Sequence, residues 1–77
     1  MSFKVDLAGH IRDLAGARIE IPVQIDDTEK LLNYITEKYP SVKNYLLKIS
    51  IDENLVEQKT RFNKYSRILV FNPYAGG

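Results

Sequence analysis

The stretch Ile68-Leu69-Val70-Phe71, close to the C-terminal end of the chain, is apolar at every position. A strand that is apolar on both faces belongs in the middle of a sheet, with neighbours on both sides. Pro73 ends this strand, because proline has a fixed φ and lacks the N–H that a strand ladder needs. We therefore expect a central strand at residues 68–71, followed by a flexible tail at residues 72–77.

The tail reads Asn72-Pro73-Tyr74-Ala75-Gly76-Gly77 and ends on a pair of glycines. Glycine has the slimmest and most flexible backbone, so such a tail can enter a narrow channel in which any Cβ would collide. A terminal carboxyl has a pKa of roughly 3.5 and is ionised at neutral pH. It must be activated, typically as a mixed anhydride with phosphate, before it does acyl chemistry. The alternative is an inert, disordered terminus.

Two alternating stretches near the start of the chain predict further strands. Phe3, Val5 and Leu7 alternate with polar residues, as in a strand with one buried face. The same alternation extends from Ile19 to Ile25, and Pro22 in its middle cannot donate to a ladder. We therefore expect an edge strand there, paired antiparallel with the first.

Helical spacing marks the segments between the strands. Ile11 and Leu14 predict one helical turn packed on the domain and closed by Gly16. A longer helix is predicted from a cap at Asp26, with Thr28 as the rival cap. The apolar residues that share one face of this helix are Leu31, Leu32, Ile35 and Tyr39. Pro40 should end it. A second short turn, capped by Ser41, would run through Val42, Tyr45 and Leu46.

The remaining segments complete the predicted sheet. Ile49 and Ile51 indicate a third strand, residues 52–54 a turn, Leu55-Val56 a short return strand, and residues 57–67 a loop. One helix links strands two and three, and the last strand is central. The chain is therefore expected to be a single α+β domain over residues 1–77. Its mixed sheet of four to five strands would carry one main helix across one face, which is the β-grasp arrangement.

The composition excludes several classes of function. The chain has 77 residues, a net charge of +1, one histidine and no cysteine. Disulfides, thiolate metal sites, cysteine nucleophiles and multi-histidine metal centres are therefore excluded, and no bound metal is expected. The low net charge gives no long-range field for nucleic acid. The N-terminal residues are too polar for a signal peptide and no apolar run reaches membrane length, so we expect a cytoplasmic protein without a membrane partner.

The sequence resembles the ubiquitin-like sulfur carriers, and among them the small subunit of molybdopterin synthase (MoaD) more than the thiamine-pathway carrier (ThiS). Residues 11–16, Ile-Arg-Asp-Leu-Ala-Gly, are similar to the family's Leu-Arg-Glu-Leu-Ala-Gly segment. Thr28 with Leu31 matches the start of the family's helix, and Tyr39-Pro40 matches its end. Residues 68–77 correspond to the closing strand and the Ala-Gly-Gly end, which is the most specific match.

The chain also departs from the family pattern. Asp52-Glu53 replaces an Asn-Gly turn, and Tyr65-Ser66 replaces a Gly-Asp turn before the last strand. Ala8 stands where an aromatic residue often ends strand one, and Asn72 replaces the first proline of a pair. Positions 8 and 72 lie near the family's docking surfaces. The departures there therefore bear on which partner protein this chain binds.

The resemblance implies a carrier and not an enzyme. An E1-like adenylyltransferase of the MoeB/ThiF kind would use ATP to adenylate Gly77, and a sulfur donor would then displace AMP to leave a thiocarboxylate. Residues Pro73, Tyr74, Ala75 and Gly76 would enter the partner's active site. The carrier would bind no cofactor. In this subfamily the acceptor is the molybdopterin precursor on the large subunit of the synthase, and the process is molybdenum cofactor biosynthesis.

Three alternatives remain open from the sequence. The sulfur could serve the thiamine thiazole or another sulfur metabolite, the tail could be conjugated to lysines as a protein modifier, or the domain could be a protein-binding module with an inert tail. Leu69 and Phe71 face away from Ile68 and Val70 and are expected to form an apolar docking surface for the partner, unless the loop at 57–67 covers them.

The loop contains a basic stretch with aromatic residues between the charges. Its basic residues are Lys59, Arg61, Lys64 and Arg67, and its aromatic residues are Phe62 and Tyr65. Such interleaving can bind single-stranded nucleic acid, although a solvated loop is the commoner reason for it. His10, which follows a glycine, is interpreted as a surface residue and not as an acid or base.

Overall fold

The computed structural model describes residues 1–73; the tail residues Tyr74, Ala75, Gly76 and Gly77 lie outside this range. The strands are β1 (Ser2–Ala8), β2 (Arg18–Pro22), β3 (Lys48–Ile51), β4 (Asn54–Val56) and β5 (Ile68–Phe71). The helices are α1 (His10–Ala15) and α2 (Thr28–Lys38), and a 3₁₀ turn spans Pro40–Asn44. The described part of the chain is therefore an α+β fold with α2 as its main helix, as predicted.

The five strands form one mixed sheet in the order β2-β1-β5-β3-β4. Strand β5 pairs parallel with β1 and antiparallel with β3, so the uniformly apolar strand is central, as its sequence indicates. In the register, Val70 lies between Leu7 of β1 and Ile49 of β3.

Strand β2 is an edge strand, as Pro22 predicts, but it is shorter than the alternation suggests. It ends at Pro22, and the prediction of strand up to Ile25 is wrong. The N–H of Ile25 donates to the Pro22 carbonyl at 3.0 Å, which turns the chain toward α2. Proline supplies no N–H to a strand ladder, and the strand gives way to this turn directly after Pro22.

The core lies between α2 and one face of the sheet. Its fully buried side chains are Val5, Ile11, Ile21, Leu31, Ile35, Val42 and Val70. Helix α1 contributes Ile11 and ends at Ala15, and its C-cap Gly16 has a φ of 103° that is readily accessible only to glycine. The expectation that Leu14 also packs inward is wrong, because its side chain is 43% exposed. A six-residue helix on the edge of the domain buries one such position and leaves the other in solvent.

The N-cap of α2 is Asp27, so the predictions of Asp26 and of Thr28 are both wrong. Asp27 Oδ1 accepts from the N–H of Lys30 at 2.8 Å. Asp26 instead accepts from Lys30 Nζ at 3.0 Å, and this hydrogen bond lowers the pKa of the Asp26 carboxyl. Thr28 begins the helix, and its hydroxyl accepts from the N–H of Thr60.

Pro40 follows α2 as predicted, but the second turn differs from the expectation. Tyr39 occupies the cap position of the 3₁₀ turn and makes no side-chain capping bond, so Ser41 is not the cap. Val42 is buried, whereas Leu46 lies beyond the turn and is 51% exposed. Val42 is therefore the one side chain of the 3₁₀ turn at residues 40–44 that is buried in the core.

The hairpin between β3 and β4 contains two residues in the left-handed region. Asp52 has a φ of 51° and Glu53 a φ of 72°. Two positive φ values are what a tight hairpin needs, and they cost energy for residues other than glycine or asparagine. Asp52 offsets part of this cost, since its carboxylate accepts from the Arg67 N–H at 2.8 Å. The predicted turn is thus confirmed at 52–53, and Asn54 already belongs to β4.

Candidate functional site

The two faces of β5 have different surroundings. Ile68 and Val70 are 3% and 0% exposed on the face that α2 covers, whereas Leu69 and Phe71 are partly exposed on the opposite face. The register places Leu69 between Asp6 and Ser50, and Phe71 between Ala8 and Lys48. Leu55 of β4 lies beside Ser50 on the same face and is 55% exposed. We call Ala8, Leu55, Leu69 and Phe71 the open-face patch.

Charged residues surround the open-face patch. Arg18 Nε donates to Asp6 Oδ1 at 2.8 Å on one side of the patch. Lys48 Nζ lies 3.6 Å from Glu57 Oε1 on the other side. An apolar centre with a polar rim of both signs is the usual composition of a transient protein docking surface.

The loop at 57–67 is anchored on the opposite side of the sheet from the patch. The Thr28 N–H donates to the Thr60 carbonyl, and the Phe62 N–H donates to the Asp26 carbonyl, each at 2.9 Å. The ring of Phe62 is 8% exposed and meets Phe3 edge-on, with 5.8 Å between ring centroids. Since Phe3 lies on the α2 side of β1, these contacts anchor the loop away from Leu69 and Phe71, which remain partly exposed.

The loop's basic and aromatic residues do not form one binding strip. Phe62 is in the core, whereas Tyr65 is 81% exposed, so only Tyr65 of this pair could stack on a base. Arg61 lies 3.5 Å from Asp26, and Arg67 lies 3.8 Å from Glu53. These contacts agree with a solvated loop that is tied to the rest of the fold at several points.

Replacement of Phe62 by alanine is expected to destabilise the protein by about 3 kcal/mol, because it empties a buried aromatic site beneath the loop. Tyr65→Ala is the matched control and should change the free energy of unfolding by less than about 0.5 kcal/mol. Urea denaturation followed by circular dichroism measures both. Equal effects of the two substitutions would mean that Phe62 is not part of the core.

Asn72 and Pro73 form the root of the tail, at the end of the central strand. Pro73 is exposed, but Asn72 is only 6% exposed, and its Nδ2 donates to the Leu46 carbonyl at 3.4 Å. The flexible tail predicted for residues 72–77 therefore does not include Asn72, whose side chain is held by the 44–47 segment. Sequence reasoning missed this role, because an asparagine before a proline usually indicates only a turn.

The other predicted site residues are placed as follows. Gly77, Gly76, Ala75 and Tyr74 lie outside the described residues, while Pro73 lies at the tail root. His10 is partly buried, and its ring contacts Tyr45 edge-on with 5.7 Å between centroids. Within residues 1–73, no group of three His, Cys, Asp or Glu side chains is arranged to hold a metal ion.

A groove of about 260 Å³ opens between the first two turns of α2 and strands β3 and β4. Its apolar floor includes Leu32, Ile49 and Val56, and its rim carries Glu29 and Lys59. It lies beside α2, and its lining also includes Lys48 and Glu57, the ion pair at the edge of the open-face patch. No helix in the described range 1–73 has the length and apolar character needed to cross a bilayer.

Comparison with known proteins gives no family assignment. No protein-family model matches the chain, and no curated protein has a significant match to it. The residues themselves are therefore the basis for inferring a function.

Proposed function

We propose that this protein is a ubiquitin-like sulfur carrier of the β-grasp class and that it supplies sulfur for molybdopterin synthesis. The observation that carries the proposal is the sequence Ala75-Gly76-Gly77, which is separated by three residues from the end of the central strand of a mixed sheet. The strand order and the single main helix are compatible with a β-grasp. The tail root lies at the end of the strand that also contributes Leu69 and Phe71 to the open-face patch.

The chemistry requires one carboxylate and two partner reactions. An E1-like adenylyltransferase binds the folded body, and a Gly77 carboxylate oxygen attacks the α-phosphorus of ATP and displaces pyrophosphate. The sulfur of a hydrosulfide-equivalent donor then attacks the acyl carbon, the bond to AMP oxygen breaks, and AMP leaves with that oxygen. The product is a thiocarboxylate at Gly77, formed without any net oxidation or reduction of the chain.

The folded body contributes recognition in this proposal. The open-face patch docks on the activating enzyme in the cytoplasm and then on the large subunit of the synthase, and each partner receives the tail in its own active site. The two glycines can enter a channel in the partner that is too narrow for a residue with a side chain. No described side chain is asked to act as acid, base or nucleophile, so the protein is a cosubstrate and not a catalyst.

The absence of cysteine from the sequence makes the proposal easy to test. A thiol-alkylating reagent has no side-chain thiol to label in this chain, so labelling reports a thiocarboxylate. The chain is incubated with ATP, an E1-like enzyme and a sulfur source, then alkylated and weighed as an intact protein. The label is essential, because oxidation of Met1 changes the mass almost as much as exchange of one oxygen for sulfur.

We expect one label per chain, located on Gly77, and none when ATP is omitted. Unlabelled chains joined to lysines through isopeptide bonds would instead assign the tail to protein conjugation. A chain that stays unmodified with every cognate E1-like enzyme would contradict both readings and favour a binding module with an inert tail.

A further inference from the structure

Strand β4 ends the sheet, and the backbone of one of its residues points outward. Among residues 1–73, no strand lies beyond β4. The Asp52 N–H donates to the Arg67 carbonyl at 2.7 Å, in register with the pairing of β3 and β5. Backbone groups point to alternate sides along a strand, so Ser50 also directs its N–H and carbonyl toward β5 and not toward β4. Leu55, which lies opposite Ser50, therefore directs its own N–H and carbonyl at the free edge of the sheet.

The two edges of the sheet differ in how well they are protected against a further strand. Edge strand β2 carries the charges of Arg18 and Glu20 and ends at Pro22. Charged residues and proline are the usual means by which proteins block an edge. Strand β4 reads Asn54-Leu55-Val56 and has neither. It is short, but one pair of backbone hydrogen bonds can still form through the outward N–H and carbonyl of Leu55.

Both faces of the sheet are apolar at this edge. Leu55 is 55% exposed on the open face. Val56 points to the other face, where it lines the groove of about 260 Å³ together with Leu32 and Ile49. Side chains alternate between the faces of a strand, so a chain added beside β4 would place one side chain next to Leu55 and the following one over the groove.

Two acidic residues flank Leu55 along the chain. Glu53 and Glu57 have side chains that are 81% and 67% exposed. Each lies within 4 Å of a basic residue, Arg67 and Lys48 respectively, but an exposed carboxylate can accept from a further cation. A second copy of this chain, paired antiparallel through Leu55, would set Glu53 of one copy opposite Glu57 of the other. Like charges directly opposite are destabilising, so the edge suits a basic partner better than a second copy.

We propose that the free edge of β4 is a second docking site, which takes an extended basic segment of a partner protein as a sixth, antiparallel strand of the sheet. The segment has an apolar residue paired with Leu55 and another apolar residue just before it, which enters the groove beside Val56. A basic residue two positions away on each side lies near Glu53 and Glu57. Backbone hydrogen bonds supply affinity, and the side chains select the partner.

This site is independent of the proposed sulfur chemistry. Strand β4 is two strands away from β5, so a segment bound at its outer edge does not occupy the positions of Leu69 and Phe71. The test of the edge therefore needs no activating enzyme, and its result does not depend on whether Gly77 is adenylated.

The first test uses NMR of the isotope-labelled full-length protein with the synthetic peptide acetyl-Gly-Lys-Leu-Val-Ser-Lys-Gly-amide, whose valine is placed to pair with Leu55. The peptide should shift the Leu55 amide signal and slow the exchange of this amide with solvent about fivefold. Methylation of the valine nitrogen removes one edge hydrogen bond, and replacement of both lysines by glutamate reverses the charge. Each change should weaken binding about tenfold. Equal binding of the methylated peptide, or shifts confined to the groove, would overturn the proposal.

The second test changes the protein. Leu55→Pro removes the outward N–H but no hydrogen bond between β3 and β4, and it should weaken peptide binding about tenfold. Leu55→Val is the matched control, because it keeps the N–H and should bind within about twofold of the wild type. Equal binding by both variants would overturn the proposal, and if Leu55→Pro does not fold, the methylated peptide still decides. A Leu55 amide signal that shifts with protein concentration alone would assign the edge to a second copy instead.

Discussion

Deletion of Gly77 is expected to abolish thiocarboxylate formation and to leave the free energy of unfolding within about 0.5 kcal/mol of the wild type. The deletion moves the terminal carboxylate back by about 3.3–3.6 Å along the chain. Misplacement of a reacting group by even 1 Å can cost roughly a hundredfold in rate, so the shortened tail should fall short of the enzyme's ATP. The core should be unaffected, since the last strand ends at Phe71.

The matched substitution is Gly76→Val, which keeps the carboxylate at its position in the chain but adds a branched side chain beside it. Adenylation should again be lost, because the tail is proposed to pass through a channel sized for glycine. Pyrophosphate release measures adenylation, and urea denaturation measures stability. Normal activity in either variant would mean that Gly77 is not the reactive residue or that the tail does not enter a narrow channel.

Replacing Leu69 and Phe71 together by threonine is expected to lower kcat/KM for adenylation by about a hundredfold, mainly through KM. This corresponds to about 2.7 kcal/mol of lost binding, a normal value for the centre of a small docking surface. Threonine suits a strand, and the two substitutions reduce the apolar area of the open-face patch. Ile68 and Val70 remain on the buried face, so the protein should still fold.

Val23→Thr provides the control for this pair. Val23 is 38% exposed, and its N–H donates to the carbonyl of Met1, the residue just before β1, whereas Phe71 lies beside Ala8 at the end of β1. The control therefore changes an apolar surface at the other end of the sheet and should leave KM unchanged. An equal rise in KM for the control and for the Leu69/Phe71 variant would show that the open-face patch is not the docking surface.

The sequence predicts the central and edge strands because each depends on a strong local constraint. Continuous apolarity at residues 68–71 requires cover on both faces, and Pro22 cannot sit inside a ladder. The two faces of β5 follow from the alternation of side chains along a strand, which alone separates Leu69 and Phe71 from Ile68 and Val70.

Other features depend on contacts between distant segments, and local patterns do not determine them. The run Asp26-Asp27-Thr28 offers three residues that can cap a helix. The loop at 57–67 selects among them, since it occupies the Asp26 carbonyl and the Thr28 hydroxyl. Phe62 illustrates the same limit: its neighbours Arg61 and Asn63 are polar, and only the fold shows that its ring packs against Phe3.

The tail root shows where the sequence pattern misleads. Asn72 precedes a proline and looks like the first residue of a free tail, yet it is buried against the 44–47 segment. The partner of its side chain is a backbone carbonyl 26 residues away, which no local pattern specifies.

The most direct test of the account is the chemical state of the C-terminal peptide in protein isolated from its own cells. The cells are lysed in a thiol-alkylating reagent, and trypsin cleaves after Arg67, the last basic residue, to release the peptide that begins at Ile68. The account predicts a peptide that ends at Gly77, part of it carrying the alkylated thiocarboxylate. A sequence that continues beyond Gly77, or a Gly77 carboxylate that is never labelled, would contradict the claim that this chain carries sulfur.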